Sequence, residues 1–352
     1  MASKSKKHRK QILFAVIAAA VIAAGFGVFH HISQKHAQQT AAQYQSEEKK
    51  TTPTSEKTVL KLNGQKYTVD HPVKTYLFMG TDNSGAENEL GEKYEGSMAD
   101  FLLLVTVDEQ KKTCGYIQLN RDTICKIHLL DQNGEGEATA DIQLCIAHWY
   151  GGSKEMSAQN TERAVSDLLG GIDIDGYYTL PMSEISKLND LVGGVSVKIE
   201  DDFSKVLPAL KQGETVKLTG DQAETFVRAR TEIGDGSNTA RMRRQKEYLS
   251  NLMDIIKKKS SDDSQFAVQL FTKLQDVSTT DMTTDDIYAL SQAVSGARSK
   301  GILQLKGKNK EGDTLNDGEM HAEFYASKSS IADTVKALYP LTAVQKEKEK
   351  TE

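Results

Sequence analysis

Two short runs, Thr75–Thr81 (TYLFMGT) and Phe101–Val107 (FLLLVTV), are apolar at nearly every position. With no alternation, both faces of each segment must be covered, the pattern of strands inside a sheet packed on two sides. Asp108–Lys112 (DEQKK) is a charged turn leading into Thr113–Leu119 (TCGYIQL), a hairpin partner. The apolar spacing then lengthens to three and four. It predicts helices over Asp141–Tyr150 and Gln159–Leu169, each closed by a Gly-Gly pair, and over Pro181–Val192, closed by Gly193-Gly194 and followed by a strand at Val195–Ile199. Thr219 and Gln222 form a capping box that opens a helix running to Arg230, and a longer helix covers Asn238–Lys259. A helix at Thr284–Ala297 and strands at Ile302–Leu305 and Glu323–Tyr325 follow. Strands interleaved with helices predict an α/β fold, a layered α/β/α sandwich with a mostly buried, mixed central sheet.

One segment belongs to neither strand nor globular helix. Ile12–Phe29 (ILFAVIAAAVIAAGFGVF) is 18 residues without a charge, close to the length that crosses a bilayer, and it ends in Phe-His-His rather than in a small-residue cleavage site. The expectation is one retained N-terminal transmembrane helix. Lys4, Lys6, Lys7, Arg9 and Lys10 precede it, which places the N-terminus in the cytoplasm and the rest of the chain outside the cell membrane as a single-pass protein. Ser33–Lys57 is polar and low in complexity, a flexible linker. The chain then divides into a basic tip (1–10), a transmembrane helix (11–32), a linker (33–57), a main domain (58–258), an extension packed on the same domain (259–345) and a charged tail (346–352).

Charge sharpens this picture. The net charge of −5 over 352 residues hides five basic and no acidic residues in the first 32, so the remainder holds 39 Lys and Arg against 49 Asp and Glu. An acidic body excludes a nucleic-acid partner. Three cysteines exclude a disulfide framework, and Cys114, Cys125 and Cys145 read as buried thiols. His71, His128, His148 and His321 have no metal-ligand spacing, and there is no nucleophile elbow, Walker loop or dinucleotide fingerprint.

The chemistry lies in carboxylates at strand ends and in clustered arginines. Asp82 follows the first buried strand and Asp100 opens the next, so sheet order can bring both to one edge, where they suit a hard cation such as Mg²⁺ or serve simply as turn and strand-capping residues. Arg121-Asp122 leaves the hairpin strand at its end, as a ligand group or as a surface ion pair. Residues 226–249 (FVRARTEIGDGSNTARMRRQKEYL) carry five arginines between 228 and 244. Arg228 and Arg230 sit where a helix ends, and Arg241, Arg244, Gln245 and Tyr248 share one face of the next, with Arg243 directed to solvent and Met242, Leu249, Met253 and Ile256 toward the core. Guanidinium clusters match diphosphate because each forks to two oxygens and keeps its proton.

Together, FMGTD at 78–82, Asp100 before FLLLVTVD, LNRDT at 119–123, LNDLVGGVSV at 188–197, and RAR with RMRRQ at 228–230 and 241–245 resemble the LytR-CpsA-Psr family of cell-wall glycopolymer transferases over about residues 74–256. The resemblance implies that 58–258 is a catalytic domain that moves a glycopolymer from a polyprenyl-diphosphate carrier to peptidoglycan, forming a phosphodiester and releasing polyprenyl phosphate. It implies Mg²⁺ on Asp82 and Asp100, catalytic Arg121, Arg228, Arg230 and Arg241, and a diphosphate-binding set of these four with Gln245, to which the shared helix face adds Arg244. The implied partners are the polyprenyl-diphosphate-linked glycan, peptidoglycan and the cell membrane. Family members usually carry an arginine two residues before the second aspartate, and here that residue is Met98. A non-catalytic tethered binder of lipid-linked glycan, or a hydrolase passing the phosphoryl group to water, would use the same residues.

Overall fold

A computed structural model of the protein describes residues 58–82, 96–230 and 232–345. The expected transmembrane helix (11–32), the basic tip, the linker and the charged tail lie outside the described residues, as does the acidic loop after Asp82. Among the described residues, no helix is long and apolar enough to cross a membrane.

The described residues begin with a hairpin of β1 (Val59–Leu62) and β2 (Gln65–Val69), then β3 (Lys74–Thr81), β4 (Ala99–Asp108) and β5 (Thr113–Leu119). A second hairpin, β6 (Ile124–His128) and β7 (Thr139–Gln143), leads through a 3₁₀ segment, Leu144–Trp149, into helix α1 (Lys154–Leu168). There follow β8 (Gly176–Pro181), α2 (Ile185–Leu191), β9 (Ser196–Lys198), β10 (Thr215–Lys217), α3 (Gly220–Arg228), α4 (Asn238–Asp262) and α5 (Phe266–Leu274). The last part comprises β11 (Thr279–Thr280), α6 (Thr284–Gly296), β12 (Arg298–Gln304), β13 (Gly307–Gly312), β14 (His321–Ala326), α7 (Lys328–Leu338) and β15 (Leu341–Ala343).

The central sheet has the order β11-β8-β3-β4-β5-β12. β3 is antiparallel to β4 and parallel to β8, β4 is antiparallel to β5, and β12 is parallel to β5, so the sheet is mixed, as expected. Residues 259–345 supply both of its edge strands. The unalternating pattern of β3 and β4 has its reason in the packing: Leu77, Met79, Leu102 and Leu104 enter one core with α1 and α7, while Tyr76, Phe78, Leu103 and Val105 point the other way toward α3 to α6. Each such fully buried aliphatic side chain contributes about 1.5–3 kcal/mol.

Helix ends follow the local chemistry. Gln222 accepts from the Thr219 backbone N–H at 3.0 Å to close the capping box, and Gly193 and Gly194 end α2 at φ +85° and +88°, a conformation a side chain would strain. One expected helix is absent. Within Asp141–Tyr150, residues 141–143 pair with β6, and only the 3₁₀ turn 144–149 is helical; a three-residue repeat produces the same apolar spacing as a short α-helix.

Candidate functional site

The antiparallel pairing of β4 with both neighbours puts the end of β3, the start of β4 and the end of β5 at one edge of the sheet. Asp82 lies opposite Met98: its backbone N–H donates to the Met98 carbonyl at 3.0 Å, and its Oδ1 accepts from the Met98 N–H at 2.9 Å. Asp100, two residues on at a register shift between β3 and β4, lies beside Met98, since one guanidinium reaches both. Arg121 leaves the end of β5 and pairs through Nη1 with Asp100 Oδ1, through Nη2 with Met98 Sδ at 3.3 Å and Cys145 Sγ at 3.1 Å, and lies 3.3 Å from Asp122 Oδ1 at Nε.

The first turn of α4 supplies the second guanidinium. Ser237 caps the helix by accepting from the Ala240 N–H at 3.1 Å. Asn238 then donates to Asn120 Oδ1 at 2.7 Å and accepts from Arg241 Nη2 at 2.7 Å and Nε at 3.1 Å. That relay ties helix to hairpin and sets Arg241 Nη1 3.9 Å from Asp100 Oδ2. Two arginines thus meet over one carboxylate. Burial lowers the pKa of Arg241, with Asp100 opposing and Arg121 adding to the fall; for Arg121 burial is outweighed by Cys145, which is a thiolate only at high pH, and by Asp100 and Asp122, and its pKa rises. The buried Asp122 carboxyl is pushed above its usual range by desolvation, against the pull of Arg121, Arg241 and Arg230.

Behind this edge lies an apolar cavity of about 320 Å³, within the range of ligand-binding pockets. Its walls include Gly80, Phe101, Val227 and Gln245, each near a site residue in the chain, and it runs between sheet and helices to Leu270 and Leu290. Gly80 leaves room there for the Met182 thioether, which a Cβ would push aside while pressing on Phe101. Leu249, Met253 and Ile256, expected to pack in the core, line this cavity.

Other sequence candidates are placed differently. Arg230 is exposed, with Nε donating to the Gly236 carbonyl at 3.0 Å, and is close enough to act on Asp122 and Arg241. Arg228 pairs with Glu224 at 2.5 Å, one turn back on α3. Gln245 is buried on the cavity wall, its amide donating to the Val227 carbonyl at 3.2 Å. Arg244 does not belong with the diphosphate set: Nη1 binds Asp201 at 2.7 Å, Nε the Phe226 carbonyl at 3.1 Å and Nη2 the Ala229 carbonyl. Its donors are spent inside the protein. Arg243 is half exposed, as expected, but paired with Glu200 and Asp201.

Met98 and Cys145 as partners of Arg121, and Asn238 as the aligner of Arg241, were not read from the sequence. Asn238 had a signal, since it stands three residues before Arg241 on one helix face. No group of three or more metal-ligating side chains occurs among the described residues. Asp82 and Asp100 lie at one edge of the sheet, and Mg²⁺ takes one or two protein carboxylates and completes its shell with phosphate and water, so these two are the residues that would hold it.

The chain is 29% identical to biofilm regulatory protein A of Streptococcus mutans over 73% of its length, and it spans 61% of that relative. It is 25% identical to the polyisoprenyl-teichoic acid–peptidoglycan teichoic acid transferase TagU of Bacillus licheniformis over 95% of this chain and 96% of that one. The crystal structure of B. subtilis TagV shares the fold, with a TM-score of 0.58 at 22% identity over 76% of this chain and 95% of the other. The LytR_cpsA_psr family model matches residues 29–338, and the chain belongs to that family.

Proposed function

We propose that this protein is a membrane-anchored, extracytoplasmic phosphotransferase that moves a glycopolymer from a polyprenyl-diphosphate carrier to peptidoglycan, forming a phosphodiester and releasing polyprenyl phosphate. The observation that carries this reading is the junction of a guanidinium-rich edge with an apolar cavity, built from neighbouring residues of the same elements: Gly80 with Asp82, Phe101 with Asp100, Val227 with Arg228, Gln245 with Arg241. A lipid diphosphate has this division of charged head and apolar tail. The name borne by the Bacillus licheniformis relative supports the substrate class, and the charge-free Ile12–Phe29 segment supports the anchor.

Arg121 and Arg241 would grip the diphosphate from either side of Asp100, with Arg228 and Arg230 at the rim. An acceptor hydroxyl attacks phosphorus on the glycan side and releases its proton to solvent, and the bridging P–O bond breaks with its electron pair leaving on polyprenyl phosphate. Charge builds on the leaving phosphate and on the equatorial oxygens, where fixed guanidiniums stabilise it without reorganising. Asp82 and Asp100 would hold Mg²⁺, which supplies further charge neutralisation.

A second reading has one observation in its favour. Met98 puts a thioether where the family usually carries an arginine, and the loss of a guanidinium suits a binder of lipid-linked glycan that does not turn over. Full-length protein in detergent, mixed with lipid-diphosphate oligosaccharide and peptidoglycan fragments, separates the two. Acceptor-dependent phosphodiester formation that is lost in Arg121→Ala and in excess chelator is the expected result. Binding without turnover would establish the binder, and glycan phosphate released without acceptor would establish a hydrolase.

A further inference from the structure

We propose that Cys145 and Met98 are positioning residues, two sulfur atoms that aim the Arg121 guanidinium at the bound diphosphate without cancelling its charge. The proposal rests on the diphosphate reading of the site. Nη1 of Arg121 is taken by Asp100, and Nη2 points at Cys145 Sγ at 3.1 Å and Met98 Sδ at 3.3 Å. Both sulfurs sit on fixed backbone. The Cys145 N–H donates to the Arg121 carbonyl at 3.0 Å, so Cys145 holds Arg121 at main chain and side chain together, and the preceding Leu144 N–H donates to the Thr123 carbonyl at 2.8 Å. Met98 is locked on both sides by the Asp82 carboxylate and amide.

The choice of sulfur has a physical meaning. Arg121 already has Asp100 and Asp122 beside it, and a third carboxylate would cancel its charge and leave little field for a ligand, whereas a neutral acceptor would not. A thiol and a thioether are weak acceptors, so they fix the direction of Nη2 while leaving its donor strength for phosphate oxygen. Burial pushes the Cys145 thiol up to about 11, so it meets Arg121 as a neutral group near neutral pH.

The test uses full-length protein in detergent with farnesyl diphosphate as the probe, measured by calorimetric titration, with thermal midpoints recorded for each variant. Cys145→Val keeps side-chain bulk and removes the acceptor; Cys145→Ser gives up bulk and keeps one. If the sulfur aims Arg121, affinity falls about three- to tenfold in Cys145→Val and in Met98→Leu, and Cys145→Ser and Met98→Gln recover most of it. If Cys145 only fills space, the order reverses, with Val close to wild type and Ser weaker in affinity and thermal midpoint alike, and the proposal is overturned. Should the Cys145 variants not fold, the half-buried Met98 pair decides: equal affinity for Leu and Gln overturns it. Arg121→Ala keeps the two readings apart. Unchanged affinity there overturns the diphosphate site itself, whereas loss there with none in Cys145→Val and Met98→Leu overturns the positioning role alone.

Discussion

Arg241 and Arg244 lie three residues apart on one buried face of α4, yet they end in different surroundings. Arg241 reaches the sheet edge, where it shares Asp100 with Arg121 and is aligned by a neutral amide, Asn238. Arg244 turns into the protein, where Asp201 and two carbonyls use its donors and the Phe203 ring lies 5.7 Å from its guanidinium carbon. At the first end Arg121 and Arg241 share Asp100, and the short hydrogen bonds of Arg241 go to a neutral amide alone, a set that the proposed diphosphate would complete. At the second, one carboxylate and the chain's own carbonyls complete the set. An arginine cluster therefore reveals little until its partners are known, and partners also decide what a substitution costs.

The largest expected effect is at Asp201. Asp201→Ala leaves the Arg244 guanidinium buried without its counter-ion, a change worth about 3–5 kcal/mol for a broken buried pair. Denaturant midpoints measure it, and farnesyl diphosphate affinity of the folded protein should be unchanged. A loss below 1 kcal/mol would mean that the carbonyls alone hold Arg244 and that the anchor is not electrostatic.

His148 sharpens the contrast, because it is buried with no carboxylate hydrogen-bonded to it. Its Nδ1 meets the Ser97 carbonyl and hydroxyl at 3.1 Å, its Nε2 has no hydrogen-bond partner among the described residues, and burial pushes its pKa down to about 4. With the folded value below the ordinary one near 6.5, the unfolded chain binds the proton first. Stability from this residue is therefore full above about pH 6.5 and falls as the pH drops toward 4, by about 3 kcal/mol in all. His148→Gln should flatten the difference in thermal midpoint between pH 7 and pH 4.5. An unchanged difference would assign the pH dependence elsewhere.

Arg241→Ala should act on ligand rather than on fold. Asp100 keeps Arg121, so no charge is orphaned, and the expected loss of farnesyl diphosphate affinity is about 1.5–3 kcal/mol, the value of a hydrogen bond to a charged group. A large fall in stability with normal affinity would place Arg241 beside Arg244 as a structural residue and remove the distinction between them.

What the sequence could show follows the same division. β3 and β4 were legible because covering on two faces leaves a continuous apolar run, and Asp82, Asp100 and Arg121 were legible because strand ends carry them to one edge. β8, which pairs with β3, passed unread although it is buried, since GYYTLP opens on glycine and closes on proline. β12 is half exposed and gains its place from pairing with β5. Helical spacing groups Arg244 with the ligand set because it reports a shared face but not the partner, and Asp201 is 43 residues away in the chain. The sulfur contacts of Arg121 join residues 23 and 24 positions apart through no motif.

The smallest expected effect is at Arg243, which tests the division from its exposed side. Its guanidinium shares Asp201 with Arg244, so proximity alone would assign it to the same anchor. Solvent decides otherwise. The side chain is 52% exposed and its other partner, Glu200, is 55% exposed, so the pair is screened and holding it costs side-chain entropy. Asp201 keeps Arg244 when Arg243 is removed, so no buried charge is left alone. Arg243→Ala should therefore cost about 0–1 kcal/mol and leave diphosphate affinity unchanged. A loss of several kcal/mol would show that Asp201 needs both guanidiniums, making the anchor a three-body unit. A loss of affinity would extend the ligand site around α4, where the geometry places only a structural pair.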